Sequence, residues 1–476
     1  VGSARPFLIG GRWYETQSTA TIRNPYSGSP VAEVCLAGKA EAEEAAFCAV
    51  EAFPTMRRLP AYVRAAALSQ VASQLANRQE EFARTITAES GKPIADARRE
   101  VARAVQTFTV AAEEARRIGG EVVPMDLTPG TERYFGMVRR VPIGPVLGIT
   151  PFNFPLNLVA HKMAPCLAAG NPLVLKPAPQ TPLTALMLAE LVLATGLPAG
   201  ALSVVPCDNT VAEQMVMDER FKAVSFTGSA AVGWMLKAKS GKKRVLLELG
   251  GNAGVIVEPD ADVELAAARC AAGGFSYSGQ TCISVQRIFV HETVYDRFLD
   301  RLLTHVSMLR VGDPADEATV IGPLINEAAA RRVEEWIHEA VAQGARVLTG
   351  GTRAGSIVAP TVLVDVTPTM KVSCQEVFGP VVTVSRYTDF ATALDALNDS
   401  VYGLQAGVFT RNIDRIFQAY SELEVGAVLA NEIPTFRTEH MPYGGVKDSG
   451  CGREGVRYAI EELTELKLLI LHLRDS

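Results

Sequence analysis

No Cys-x-x-Cys pair occurs among the eight cysteines of this 476-residue chain, and no His/Cys cluster has the spacing of a zinc site. Neither a metal centre nor a disulfide framework is expected; reduced thiols in a cytoplasmic setting are. No apolar run is long enough to span a bilayer. The most apolar stretch, Leu183 to Leu197, is broken by Glu190 and ends in Gly-Leu-Pro, which suits a buried helix. The opening residues Val1-Gly2-Ser3-Ala4-Arg5 lead into no segment of signal-peptide type. Lysine and arginine are not gathered on a face with interleaved aromatics, and a formal net charge of −6 offers polyphosphate no general attraction. Nucleic acid and membrane are therefore not expected partners.

What is present is an ordinary globular composition, 48% hydrophobic and 21% charged, in a chain long enough for roughly three domains. Residues 39–118 carry helical patterns with Ala-rich faces, broken near Pro54, Pro60 and Gly91-Lys92-Pro93. From Val146 the rhythm changes. Apolar runs at 146–150, 172–175, 202–205, 223–226 and 245–249 alternate with helix-like segments starting near Asn157, Thr181, Val211 and Ser229. Such alternation predicts an α/β domain with a parallel sheet covered by helices. A second series follows Asp262, with strand-like runs at 285–290, 361–364, 381–384, 404–409 and 426–430, and predicts another α/β domain. Thr131 to Val141 and Glu461 to His472 lie outside both series and need a partner sheet, because exposed edges invite pairing.

None of the strand-to-helix turns in the first series carries Gly-x-Gly-x-x-Gly, so the usual dinucleotide fingerprint is absent there. Phe226-Thr227-Gly228-Ser229 instead ends a strand and opens a helix, where free N–H groups and the helix dipole favour a phosphate. Two further sites stand out. Cys282 follows Ser278-Gly279-Gln280-Thr281, and Glu248 stands in Leu247-Glu248-Leu249-Gly250-Gly251. A thiol and a carboxylate, each beside glycines, make a candidate nucleophile and base. A turn crowded with backbone N–H groups is expected to raise the thiolate fraction of Cys282.

These motifs resemble those of the aldehyde dehydrogenase superfamily. The glutamate motif reads Leu-Glu-Leu-Gly-Gly-Asn and the cysteine motif Gly-Gln-Thr-Cys. The resemblance runs from Phe7-Leu8-Ile9-Gly10-Gly11-Arg12-Trp13 through Pro151-Phe152-Asn153-Phe154-Pro155, Leu175-Lys176-Pro177 and Glu376-Val377-Phe378-Gly379-Pro380 to Tyr443-Gly444-Gly445. It implies a Rossmann-like cofactor domain (1–123 and 142–250), an α/β catalytic domain (251–449) and a β-arm (124–141 and 450–476) that joins subunits into a homodimer or homotetramer.

The resemblance also implies the chemistry. Cys282 attacks an aldehyde, the Asn153 amide and the cysteine's own N–H hold the oxyanion, hydride passes to a nicotinamide, and Glu248 deprotonates the water that hydrolyses the thioester. Partial burial is expected to raise the pKa of Glu248. The cofactor would meet Ile149, Thr150, Phe152, Lys176, Pro179, Gly228, Ser229, Leu249, Glu376 and Phe378. Pro179 stands where strictly NAD-dependent relatives often have a glutamate for the ribose hydroxyls. NADP is therefore expected to be preferred, with NAD possible. Phe152, Gly254, Ser284 and the loop Pro206-Cys207-Asp208-Asn209 depart from the family pattern without touching nucleophile or base.

For the substrate, the resemblance places Arg103 and Arg437 around the funnel above Cys282, with Phe154, His161 and Thr281. Two guanidinium groups at an aldehyde's far end suit an anionic tail. The succinic semialdehyde and nonphosphorylating glyceraldehyde-3-phosphate branches share this arrangement. Thr281, where the phosphate-specific branch often has arginine, favours a short carboxylated aldehyde such as succinic semialdehyde. The alternatives are a glyceraldehyde-3-phosphate or lactaldehyde enzyme, or a non-catalytic protein of the crystallin kind.

Overall fold

A computed structural model describes residues 4–474; residues 1–3 and 475–476, which belong to the first and last segments assigned above, lie outside it. The first α/β series forms an eight-stranded sheet in the order Arg12–Tyr14, Phe7–Ile9, Leu202–Val204, Leu173–Lys176, Val146–Ile149, Ala223–Thr227, Arg244–Glu248, Gly450–Cys451. The five strands from Leu202–Val204 to Arg244–Glu248 are parallel. Val146–Ile149 and Leu173–Lys176 are buried at every position, as strands covered by helices on both faces must be. Strand order reverses beside Val146–Ile149: the next strand in sequence lies on one side and Ala223–Thr227 on the other. Helices diverge from that point, and a crevice opens at the strands' carboxyl ends.

The second series builds a seven-stranded sheet, Arg346–Thr349, Thr361–Val364, Val381–Tyr387, Val285–His291, Ala253–Val257, Gln405–Phe409, Ala427–Ala430, parallel except at its first edge. Asp262 caps its first helix, Val263–Phe275, by accepting from Leu265 N–H. A third sheet pairs Thr464–His472 with Tyr134–Pro142 residue for residue, and Tyr134–Pro142 with Gly120–Val123. Leu466, Leu468 and Ile470 are exposed on it. No helix among the described residues is long and apolar enough to cross a membrane.

Several boundaries move. The helix Lys39–Met56 runs through Pro54 and ends two residues later, and the next helix starts directly after Pro60. An additional break falls at Arg78, between Ala61–Asn77 and Gln79–Ser90. The third sheet begins at Gly120, and its last strand is Thr464–His472, while Gly450–Cys451 pairs with the first sheet. Gly450-Cys451-Gly452-Arg453-Glu454-Gly455 does match Gly-x-Gly-x-x-Gly, but it leads from an antiparallel edge strand into the seven-residue helix Val456–Glu462, not into a βαβ turn.

Candidate active site

The crevice at the carboxyl ends of the first sheet holds a cavity of about 330 Å³. Three of its strands end there. Val146–Ile149 leads into Pro151 to Phe154, Ala223–Thr227 into Gly228 and Ser229, and Arg244–Glu248 finishes on Glu248 and leads into Leu249. The second domain closes it with Thr281, Cys282, Ile283, Glu376 and Phe378, and a later loop adds Arg437 and Tyr443.

Cys282 reaches this position through strained backbone. Tyr277, Ser278 and Gly279 have φ of 48°, 54° and 71°, three left-handed residues in a row. At Gly279 a Cβ would collide with the Gly379 carbonyl, so only glycine fits there. The Gln280 side chain fixes the turn by accepting from Ile325 N–H at 2.9 Å, and the Gln280 carbonyl accepts from Asn153 Nδ2, also at 2.9 Å. Asn153 is thereby held beside Cys282, with its Oδ1 buried and lacking a hydrogen-bond partner among the described residues.

The sulfur lies 3.0 Å from the Tyr443 hydroxyl. Its thiol is not depressed, contrary to expectation: burial pushes it up to about 12, opposed by the Tyr443 hydrogen bond and reinforced by the Glu376 carboxylate. Desolvation of the charged form outweighs the turn's dipoles.

Glu248 is 5% exposed, and its Oε2 has no hydrogen-bond partner among the described residues. Burial first, and then the Glu454 carboxylate, raise its pKa well above the usual carboxylate range, in the direction anticipated. Behind it lies an ion cluster. Glu454 pairs with Arg437 at 3.0 Å and Lys162 at 3.4 Å, and Lys162 also donates to Ser225 Oγ and Thr227 Oγ1. These cations overcome burial and hold Glu454 below the usual range, so the negative charge resides there and Glu248 takes the proton.

Known proteins resemble the chain over nearly its whole length. The profile of the aldehyde dehydrogenase family matches residues 13–469. A 3-sulfolactaldehyde dehydrogenase of Priestia megaterium is 44% identical over 98% of this chain and 97% of its own. The crystal structure of aldehyde dehydrogenase 21 from Physcomitrella patens, in complex with the reaction product succinate, superposes with a TM-score of 0.97 at 44% identity over 99% of both chains. A glyceraldehyde-3-phosphate dehydrogenase from Methanocaldococcus jannaschii, complexed with NADP, gives 0.93 at 36% identity over 96% of this chain and 100% of its own.

The chain belongs to the aldehyde dehydrogenase family. Its reaction is the NAD(P)-dependent oxidation of an aldehyde.

The residues present fit such a cofactor. Ser229 caps the helix Ala230–Lys239 without using its hydroxyl on the helix backbone, so the first-turn N–H groups remain available to a phosphate. Thr150 Oγ1 is buried with no hydrogen-bond partner among the described residues. Glu376, accepting from Gly251 N–H at 2.8 Å, is pushed up to about 7 by burial. Phe378, at φ 50°, stands edge-on to Phe152 with ring centroids 6.0 Å apart. Ile149, Thr150, Lys176 and Pro179 do not line the cavity: Lys176 is buried at its strand end and Pro179 exposed beyond it.

Arg103, Phe154, Thr281 and Arg437 line both this cavity and an adjoining one of about 650 Å³. The two arginines differ. Arg103 gives Nε to Glu439 at 2.6 Å, and its terminal nitrogens have no hydrogen-bond partner among the described residues. Arg437, with a side chain only 6% exposed, stacks 3.7 Å above the Tyr443 ring and has a buried, unpartnered Nε. His161 does not reach the substrate space, which corrects its assignment. It lies on a helix buried at every position, Asn157–Ala169, and hydrogen-bonds to Glu439 behind the wall.

Four polar residues of this site were missed as functional: Lys162, Glu439, Tyr443 and Glu454. Tyr443 was at least inside a recognised motif; the others had no signal beyond charge.

Proposed function

We propose that the enzyme oxidises a short aldehyde bearing an anionic tail to the corresponding acid, with Cys282 as nucleophile, Asn153 and the Cys282 N–H as oxyanion donors, and Glu248 as base. The observation that carries this reading is the shared cavity. An unpartnered, protonation-prone carboxylate at Glu248 and the sulfur of Cys282 face one space, and Arg103 and Arg437, each with guanidinium nitrogens left uncommitted, line the same space. Sulfur adds to the carbonyl carbon, and the resulting oxyanion is met by fixed donors. A nicotinamide held near Glu376 and Phe378, with its pyrophosphate at Ser229, would supply the hydride acceptor. Glu248 then takes a proton from water, which attacks the thioester and releases acid and thiol.

The tail reading draws support from two relatives. Both 3-sulfolactaldehyde and succinic semialdehyde, whose oxidation gives succinate, carry their anion on the third carbon. That common span suits a cavity that holds both Cys282 and the guanidinium groups of Arg103 and Arg437. Succinic semialdehyde remains the first choice. The sulfonated aldehyde is the second reading, favoured by the 44% identity to an enzyme named for it.

We further propose NADP as the preferred cofactor. Pro179 offers no carboxylate beside Lys176, and Asp208, the nearest acid, is spent capping the helix Asn209–Met217. The exposed leucines of the third sheet are assigned to contact with a second copy in a homodimer or homotetramer.

A panel of succinic semialdehyde, 3-sulfolactaldehyde, glyceraldehyde 3-phosphate, lactaldehyde and propionaldehyde, crossed with NAD and NADP, tests all but the last point. The expected outcome is kcat/KM highest for a three-carbon-linked anion with NADP. Equal efficiency on propionaldehyde sinks the tail assignment, and absence of turnover on every pair favours a binding role.

A further inference from the structure

The hydroxyl of Tyr443 touches the sulfur that the reaction uses, and no sequence argument gave it a task. Its Oη stands 3.0 Å from Cys282 Sγ, and the sulfur is its sole hydrogen-bond partner among the described residues. The ring is 3% exposed, so water does not compete freely for the phenol. Tyr443 is also well fixed. Its backbone exchanges two hydrogen bonds with Glu454, at 3.0 and 2.6 Å, and the Arg437 guanidinium covers one ring face at 3.7 Å.

We propose that Tyr443 is a catalytic residue that donates its phenolic hydrogen to Cys282 Sγ and stabilises the thiolate, with Arg437 over the ring strengthening the donor. This rests on Cys282 being the nucleophile. A neutral thiol can give or receive, but a thiolate only receives, so on ionisation the phenol must be the donor. The bond then becomes charge-assisted and roughly twice as strong as its neutral counterpart. The thiol proton leaves to solvent, and the phenol keeps its own.

The surroundings make such a donor necessary. The charged side chains acting on the sulfur come from three other segments: Glu376 and Glu248 oppose a negative charge, and Arg437 favours it. Arg437 is partly neutralised by Glu454. Tyr443 is the group in direct hydrogen-bond contact with the sulfur among the described residues. It does not act as a base, because burial and the neighbouring sulfur raise its own pKa well above that of an ordinary tyrosine. A cation over a π face draws electron density from the ring and makes the O–H a better donor.

The test is the pH profile of Cys282 alkylation by iodoacetamide in the full-length enzyme without cofactor, followed by mass spectrometry of the Cys282 peptide. Tyr443→Phe keeps the ring and loses the donor. The expected result is alkylation slowed roughly tenfold across the neutral range, at pH 7.5 for example, the change in thiolate fraction that an upward displacement of about one pH unit gives. Replacement of Tyr443 by 3-fluorotyrosine, which preserves packing and makes the phenol more acidic, should displace the midpoint downward. A purely structural tyrosine produces neither shift. A Tyr443→Phe profile lying over that of the wild type overturns the proposal. The nucleophile is tested separately by Cys282→Ser. Loss of turnover there with an unmoved Tyr443→Phe profile removes only the role of Tyr443; retained oxidation removes the underlying reading.

Discussion

Replacing Glu248 by glutamine separates the two halves of the reaction, because the change keeps size and shape but removes the capacity to accept a proton. In the proposed mechanism, acylation of Cys282 and hydride transfer do not require this carboxylate, whereas hydrolysis of the thioester does. Stopped-flow absorbance at the reduced-nicotinamide band should therefore show a first turnover of near-normal amplitude in Glu248→Gln, one equivalent per active site, followed by a steady state slowed roughly 10²- to 10⁴-fold, the usual contribution of a general base. In the wild type, the deacylation rate should climb as pH rises through the elevated pKa of Glu248, since only the ionised form can take the proton.

The same elevation has a thermodynamic consequence. A carboxyl whose folded pKa is raised binds its proton more tightly in the native state. Its favourable share of stability is complete below the unfolded value of about 4.3 and is lost as pH rises through the folded value. Glu248→Gln should then melt higher than wild type at pH 8, and the difference should close as pH falls towards 4, the pattern expected where activity is bought with stability. A steady state within threefold of wild type, or a missing burst, refutes the assignment of Glu248 to deacylation.

Arg103→Ala should raise KM for an anionic aldehyde by about 10- to 100-fold, the worth of one charge-assisted hydrogen bond, while leaving propionaldehyde kinetics within about twofold. Steady-state assays on both substrates read the split, and a uniform rise argues against tail binding. Pro179→Glu should move the NADP-to-NAD ratio of kcat/KM towards NAD by roughly tenfold or more, since a carboxylate beside a 2′-phosphate costs binding energy; an unchanged ratio removes Pro179 from cofactor choice. Gly279→Ala places a Cβ against the Gly379 carbonyl on left-handed backbone and should cost about 1–3 kcal/mol of stability, visible in denaturant unfolding, together with most of the activity. Leu468→Asp with Ile470→Asp should yield monomers by light scattering if the exposed sheet Thr464–His472 meets a second copy; unaltered mass rejects that contact.

Much of this architecture could be read from residue order. Fully buried strands such as Leu173–Lys176 announce themselves as continuous apolar runs, and the strand-to-helix junction at Thr227-Gly228-Ser229 sits where its glycine and serine indicate. Cys282, Glu248 and Asn153 were found because each lies in a short, chemically unusual motif, and the fold brings all three to one cavity. His161 was misplaced because sequence position gives a helix but not the face that looks inward, and here every face is buried.

What the chain alone determined was the α/β class, the family, the thiol and carboxylate proposed as nucleophile and base, and the direction in which burial shifts Glu248, since these depend on local composition and on residue types. What only the tertiary structure decided was the electrostatic setting: Tyr443 against the sulfur, Arg437 over its ring, Glu454 between Arg437 and Lys162, and a Cys282 thiol raised where the turn suggested the reverse. Those partners are separated by up to about three hundred residues along the chain. Coulomb and desolvation energies depend on distance and depth, which linear order does not contain.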